Sequence, residues 1–255
     1  MVDALRANSP VPLSVVMPAY NEEGAIEDAV RDVQEHVLMH VPGAELVVVD
    51  DGSRDRTGLI LDSLAVQDVR VRVIHRMNGG HGPALRTGLD AARGEYLLLI
   101  DSDRQVSLDS FGSLWPEAQR RDGLFGVRRR RHDPPARLVL TRLVRVALRL
   151  LLSLSLRDAN VPFKVVRRTS WERARPLIPP DTLAPSLFLA VVMSRHGASI
   201  VEREVMHRER ETGIGSLRYG KLFRFCARGF SQLLALRRGL SRSVPQTAPE
   251  VFGSG

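Results

Sequence analysis

The sequence predicts an α/β protein, a mostly parallel sheet with helices on both faces. Two observations carry that prediction. From Leu13 to Ile100, short apolar runs alternate with segments of helical period, the pattern of strands covered on both faces by crossover helices. Three of those runs also end in polar clusters: Pro18-Ala19-Tyr20-Asn21-Glu22, Asp50-Asp51-Gly52-Ser53 and Asp101-Ser102-Asp103. In parallel sheets ligands bind at the carboxyl ends of the strands, so the clusters are expected to converge on one edge.

Taken in order, Leu13–Met17 is a buried strand stopped by Pro18. Asn21 is placed to cap a helix with Glu22 and Glu23 in its first turn. Ile26, Val30, Val33 and Val37 continue that helix until Pro42-Gly43. Glu45–Val49 is the second strand, Arg56–Ala65 the next helix and Val69–Ile74 the third strand. After the glycine-rich Asn78–Gly82, a helix carries Ala84, Leu85, Leu89 and Ala92, and Tyr96–Ile100 is the fourth strand. Beyond it, strands are expected at Leu124–Val127, Phe163–Val166 and Ile200–Val205. Helices are expected at Ala136–Leu156 and Ala184–Ser194.

Composition excludes several classes. Over 255 residues, 44% hydrophobic and 26% charged is the balance of a globular domain able to bury one core. Cys226 is the only cysteine, so no disulfide scaffold is possible and a reducing compartment is expected. The first residues lack the apolar stretch of a secretory signal. The longest apolar candidate, Leu138–Leu156, is interrupted by Arg142, Arg145 and Arg149 and does not read as a spanning helix. The net charge of +8 is carried by arginine, since Lys164 and Lys221 are the only lysines. That excess points to phosphate ligands, a membrane surface or nucleic acid. The run Arg128–Arg131 has few aromatic neighbours, so nucleic acid is not expected as a partner.

Paired carboxylates one residue apart after a strand, Asp101 and Asp103 with Gln105 beyond, are hard oxygen donors suited to Mg2+ or Mn2+ beside phosphate oxygens. The carboxylates of Asp50-Asp51 could accept hydrogen bonds from a base or ribose, and the Tyr20 ring could stack on a base.

The motifs VVMPAYNEE (Val15–Glu23), VVVDDGSRDRT (Val47–Thr57), NGGHGPALRTGLDAARG (Asn78–Gly94) and YLLLIDSDRQ (Tyr96–Gln105) resemble those of family 2 glycosyltransferases, in the family's order. The chain is most similar to the dolichol- and polyprenyl-phosphate mannose synthases and their glucosyl relatives. The resemblance implies a GT-A fold over residues 11–216 and a metal-dependent, inverting transfer of a hexose from a nucleotide-diphosphate sugar. It implies that Pro18, Tyr20, Glu22, Asp50 and Asp51 hold the nucleoside, and that Asp101, Asp103 and Gln105 hold Mg2+ or Mn2+ on the diphosphate. Asp103, Arg128, Arg210 and Asp158 are then the candidate catalytic residues, the arginines contacting phosphate. Three features differ from the family: the glycine before Phe163 is Pro162, the glycine-loop lysine is His81, and the Arg-x-x-Gly-x-Ser pattern carries an extra residue in His207–Ser216, so Arg208 is the alternative to Arg210.

A lipid-phosphate acceptor is already anionic at neutral pH and needs no general base, whereas a hydroxyl acceptor needs one, with Asp158 as the candidate. Two arginine-striped helices favour the lipid. At about 100° per residue, Arg142, Arg145, Arg149 and Ser153 share one face. Lys221, Arg224, Arg228 and Gln232 share another, opposite Leu222, Phe223, Phe230, Leu233 and Leu234. Such helices lie in a headgroup layer, so an anionic membrane surface is expected as a partner, with the enzyme peripheral on the cytoplasmic face. A soluble transferase acting on a small hydroxyl or amine, and a non-catalytic nucleotide-binding protein, remain the rival readings. The expected organisation is a flexible stretch 1–10, the catalytic domain 11–216, an amphipathic helix 217–240 and a disordered tail 241–255.

Overall fold

The computed structural model describes residues 11–128, 157–158, 161–182, 184–207, 231, 232, 234 and 236. The expected helix 136–156, the termini and most of 217–240 lie outside them.

Seven strands form one sheet. β1 (Leu13–Ala19), β2 (Glu45–Asp50), β3 (Val71–His75) and β4 (Tyr96–Ile100) come from the first half. β5 (Gly123–Arg128), β6 (Phe163–Arg167) and β7 (Ile200–Val205) come from the second. The order is β3-β2-β1-β4-β6-β5-β7. β1 to β4 pair in parallel, β5 and β7 pair in parallel, and β6 alone runs against its neighbours β4 and β5.

The helices are α1 (Ile26–Val33), extended by a π-type turn at Gln34–Leu38, α2 (Thr57–Gln67), α3 (His81–Ala91), α4 (Phe111–Ala118), α5 (Arg168–Ala174) and α6 (Pro185–Arg195). The period-2 alternation of a strand sends successive side chains to opposite faces. Leu13, Val15 and Met17 therefore join one core with residues of α1, α2 and α4. Val16, Leu97 and Leu99 join the other with α3, α5 and α6. Each fully buried Val or Leu contributes about 1.5–3 kcal/mol relative to exposure, so the two cores hold the sheet between helix layers. Where α3 crosses the sheet it comes very close, because a Cβ on Gly88 would collide with Val16 Cγ1.

The strand expectations hold to within two residues. β3 starts at Val71 rather than Val69, whose side chain is exposed. Helices α4 and α5 were not anticipated. Both are short, and α4 carries an internal proline, Pro116, that breaks the helical pattern. Among the described residues no helix is long and apolar enough to cross a membrane. Near the carboxyl terminus Leu236 is buried in the second core, and Thr182 Oγ1 donates to Gln232 Oε1 at 3.1 Å. Gln232, expected on a polar stripe facing headgroups, therefore meets the body of the domain.

Candidate active site

The expected convergence is present. Ala19 pairs with Asp50 at the ends of β1 and β2, and the Asp51 N–H donates to the Ala19 carbonyl at 2.9 Å. The first two polar clusters are laced together across that edge. The Asn21 and Glu22 N–H groups donate to Ser53 Oγ (3.0 Å) and Thr57 Oγ1 (2.8 Å), and Asn21 Oδ1 accepts the Arg54 N–H at 2.8 Å. This corrects the sequence reading of Asn21 as a helix cap. Asn21 sits in the left-handed region at φ 53°, its side chain bonded across to the neighbouring turn, and α1 begins only at Ile26. Asn tolerates that conformation better than most residues. Pro18 is buried under this turn, and Tyr20 is 42% exposed at its rim.

Asp50 and Asp51 are nearly buried, and their oxygens have partners. Asp50 Oδ1 accepts the Ser53 N–H at 3.0 Å, and Oδ2 lies 2.9 Å from His75 Nδ1. Burial opposes the Asp50 charge, but the bonds from Ser53 and His75 outweigh it and hold the carboxyl below its ordinary range. His75 Nε2 is 2.9 Å from Asp62, and Asp62, then Asp50, raise the imidazole pKa. Asp51 accepts N–H bonds from Gly79 (3.0 Å) and Gly80 (2.7 Å), and Arg76 Nη1 stands 3.1 Å away. Asp51 thus sets the glycine loop that opens α3. The same packing requires glycine at position 52: its φ is 72°, and a Cβ would meet the Asn78 nitrogen at 2.8 Å. Both carboxylates are engaged in holding the turns at this sheet edge.

The Asp101–Gln105 turn is more open. Asp101, with about a third of its side chain exposed, lies 3.8 Å from His81 Nε2 at the first turn of α3. Asp103 Oδ1 accepts the Gln105 N–H at 3.1 Å, and Arg104 adopts the left-handed φ of 54° while Nη1 donates to Asp28 of α1 at 3.1 Å. Asp101, Asp103, Asp32 and Pro162 line one small cleft. Two carboxylates and an amide oxygen within five residues suit a hard divalent cation. Among the described residues no group of three or more His, Cys, Asp or Glu could hold a metal alone. A cation here would need oxygens from a bound diphosphate and water, as Mg2+ sites commonly use.

The antiparallel β6 brings the second half to the same edge, because its first residue, Phe163, pairs with Ile100. Just before it, Asp158 forms a buried two-pronged ion pair with Arg128 at the end of β5: Nε donates to Oδ2 at 2.8 Å and Nη2 to Oδ1 at 3.1 Å. The sequence reading treats these as separate candidates; the fold makes them one unit. Arg210 lies outside the described residues. Two site neighbours were not singled out from sequence. Arg76 is hidden in an unremarkable loop, and Lys164 stands in the Pro162-Phe163-Lys164 segment as one of two lysines in an arginine-rich chain.

Residues 14–172 match the model of glycosyl transferase family 2. The chain belongs to that family. It is 40% identical over 110 residues to the uncharacterized glycosyltransferase EpsJ of Bacillus subtilis, covering 43% of this chain and 31% of that protein. It is 31% identical over 204 residues to the undecaprenyl-phosphate 4-deoxy-4-formamido-L-arabinose transferase of Pseudomonas aeruginosa, covering 79% of this chain and 59% of that one. The match therefore spans less than two thirds of either relative. Its fold is also that of glucosyl-3-phosphoglycerate synthase from Mycobacterium tuberculosis, solved with Mn2+, UDP and phosphoglyceric acid, at a TM-score of 0.66 and 22% identity over 96% of this chain and 83% of that one. The architecture is GT-A, as the motifs implied.

Proposed function

We propose that this family 2 glycosyltransferase moves a hexose, with inversion, from a nucleotide-diphosphate sugar of the GDP-mannose or UDP-glucose type to a polyprenyl phosphate at the cytoplasmic membrane surface. The observation that carries the reading is the convergence of three acid-bearing turns on one sheet edge, where Asp101 and Asp103 remain accessible. Pro18, Tyr20 and Glu22 hold the nucleoside on a wall that Asp50 and Asp51 fix in place. Asp101, Asp103 and Gln105 hold Mg2+ or Mn2+, which supplies the positive charge that stabilises the departing diphosphate.

In the transfer, the bond from the sugar's anomeric carbon to the diphosphate breaks as an acceptor oxygen bonds to the opposite face. The second pKa of a phosphate monoester is about 6, so a lipid phosphate arrives as an anion with no proton to remove. This suits the structure, since both oxygens of Asp158 accept bonds from Arg128 and the carboxylate is poorly placed to act as a base. Arg128 and Arg210 then offset the repulsion between acceptor phosphate and donor diphosphate. The undecaprenyl-phosphate acceptor named for the Pseudomonas aeruginosa relative supports the lipid acceptor. The arginine stripe Arg142, Arg145 and Arg149 supports a peripheral seat on anionic lipid.

The test is transfer of radiolabel from UDP-glucose or GDP-mannose, with Mn2+, to undecaprenyl phosphate in liposomes, for the wild type and D158N. Label in the lipid phase from the wild type, retained by D158N once its activity is scaled to the folded fraction read by circular dichroism, supports the reading. Label only on water-soluble hydroxyl acceptors, lost in D158N, replaces it with the soluble transferase. Nucleotide binding without turnover on any acceptor replaces it with a non-catalytic scaffold.

A further inference from the structure

Lys164 is the one lysine or arginine among the described residues whose burial is complete. Its Nζ donates to the Val161 carbonyl at 2.6 Å and to Ser186 Oγ in the first turn of α6 at 2.7 Å, and it stands 5.5 Å from the centre of the Phe125 ring. Burying a cation costs several kcal/mol unless fixed dipoles or opposite charge replace its water. Both of its hydrogen-bond partners among the described residues are neutral oxygens. The charges that face it are Asp158, Asp101 and Glu202, which favour its ammonium form, and Arg128, which opposes it. α6 contributes only the neutral Ser186, and β5 the Phe125 ring.

Its position is central. Lys164 pairs with Leu99 of β4 on one side and Phe125 of β5 on the other. The first strand leads into Asp101, and the second ends at Arg128. Val161, the acceptor of its shorter bond, is itself buried, and the Val161 N–H reaches back to the Asp158 carbonyl at 3.4 Å. One side chain thus holds Val161, which bonds back to Asp158 and precedes the cleft-lining Pro162.

The choice of lysine also has a physical meaning. Lys164 and Lys221 are the only lysines in the chain, and arginine takes every other basic position. A guanidinium does not give up its proton, whereas a lysine amine is compact and does so readily when buried.

We propose that Lys164 is a positioning residue: it ties Val161, and through it Asp158 and Pro162, to the start of α6 and so sets the acceptor side of the cleft against Asp101 and Asp103. This rests on the transferase reading above. Burial, opposed chiefly by Asp158, brings the amine down to about 7 from its usual 10.5. The charge beside the Arg128–Asp158 pair therefore changes near neutrality, and acceptor use, not donor binding, follows it.

The test uses the full chain with 13C-labelled lysine, which gives only two side-chain signals. One should titrate near 7 and vanish in K164M, and in S186A, which spares the lysine, its midpoint should move. With undecaprenyl phosphate as acceptor, both variants should raise the acceptor KM and flatten its inflection near pH 7, while UDP binding with Mn2+ stays as in wild type. Losing the Ser186 bond should speed hydrogen exchange at the Val161 amide about tenfold. Two lysine signals titrating near 10, or variants with unchanged acceptor KM and Val161 exchange, overturn the proposal. A wild type that transfers nothing to the lipid defeats the transferase reading instead, and the titration and Val161 exchange still decide the role of Lys164.

Discussion

The two halves of the sheet are built differently. On the side proposed to hold the donor, β1 to β4 are parallel, and the ends of β1, β2 and β4 deliver their polar turns to the same edge. On the side proposed to meet the acceptor, β6 must reverse to reach that edge, and its side chains come from distant parts of the chain: Arg128 on β5, Asp158 before β6, Ser186 on α6. The first side is held mainly by backbone amides donating to carboxylates and hydroxyls, beside the His75–Asp50 and Arg76–Asp51 pairs. The acceptor side is stabilised by buried charge on charge. The first arrangement is spread over many separate bonds, and the second is sensitive to the loss of any member.

The sharpest way to break this contrast is R128A. It leaves Asp158, with 4% of its side chain exposed, without its guanidinium, and removing one member of a buried pair costs about 3–5 kcal/mol. At roughly 2–4 °C per kcal/mol for a domain of this size, thermal melting should fall well below the wild type. The double replacement R128M/D158L should recover much of the loss, and equal melting of R128A and wild type would show the pair to be solvated. Next comes the seam between the halves. A Cβ at Gly82 would overlap the Thr182 carbonyl oxygen, so G82A must displace backbone. Overpacking of this kind costs about 1–3 kcal/mol, and the variant should melt lower and bind UDP with Mn2+ more weakly, since Gly82 follows the glycine loop.

The smallest effect belongs to the donor side. The His75 pKa is raised by Asp62 and Asp50, so its contribution is fully present below the unfolded value of about 6.5 and is lost as pH rises through the folded value. H75Q should lower melting at pH 5.5 and have less effect at pH 8.5. Lys164 behaves oppositely: its lowered pKa makes burial most costly below about 7, so stability rises with pH from there toward 10, and K164M should flatten that slope.

The same contrast explains what the sequence makes legible. Strands such as Val15–Met17 and Leu97–Ile100 are continuous apolar runs, and their carboxyl-terminal acids follow directly in the chain. α4 and α5 are short, and α4 is interrupted by Pro116, so packing of Trp115 under Tyr96 and of Trp171 against α3, not periodicity, decides them. The Asp158–Arg128 pair spans thirty positions and depends on β6 reversing, which no local pattern encodes. Asn21 misleads for the opposite reason: its capping chemistry is real, but the acceptor it offers is taken by Arg54 across the cleft edge.

The central claim is that Asp101 and Asp103 complete a metal-dependent donor site on this edge. Calorimetry of UDP and GDP, with Mn2+ and with EDTA, on wild type and D103N tests it most directly. The account predicts binding of at least one nucleotide that requires Mn2+ and is lost in D103N while the variant melts like wild type. Equal affinity in EDTA, or undiminished binding by D103N, would contradict it.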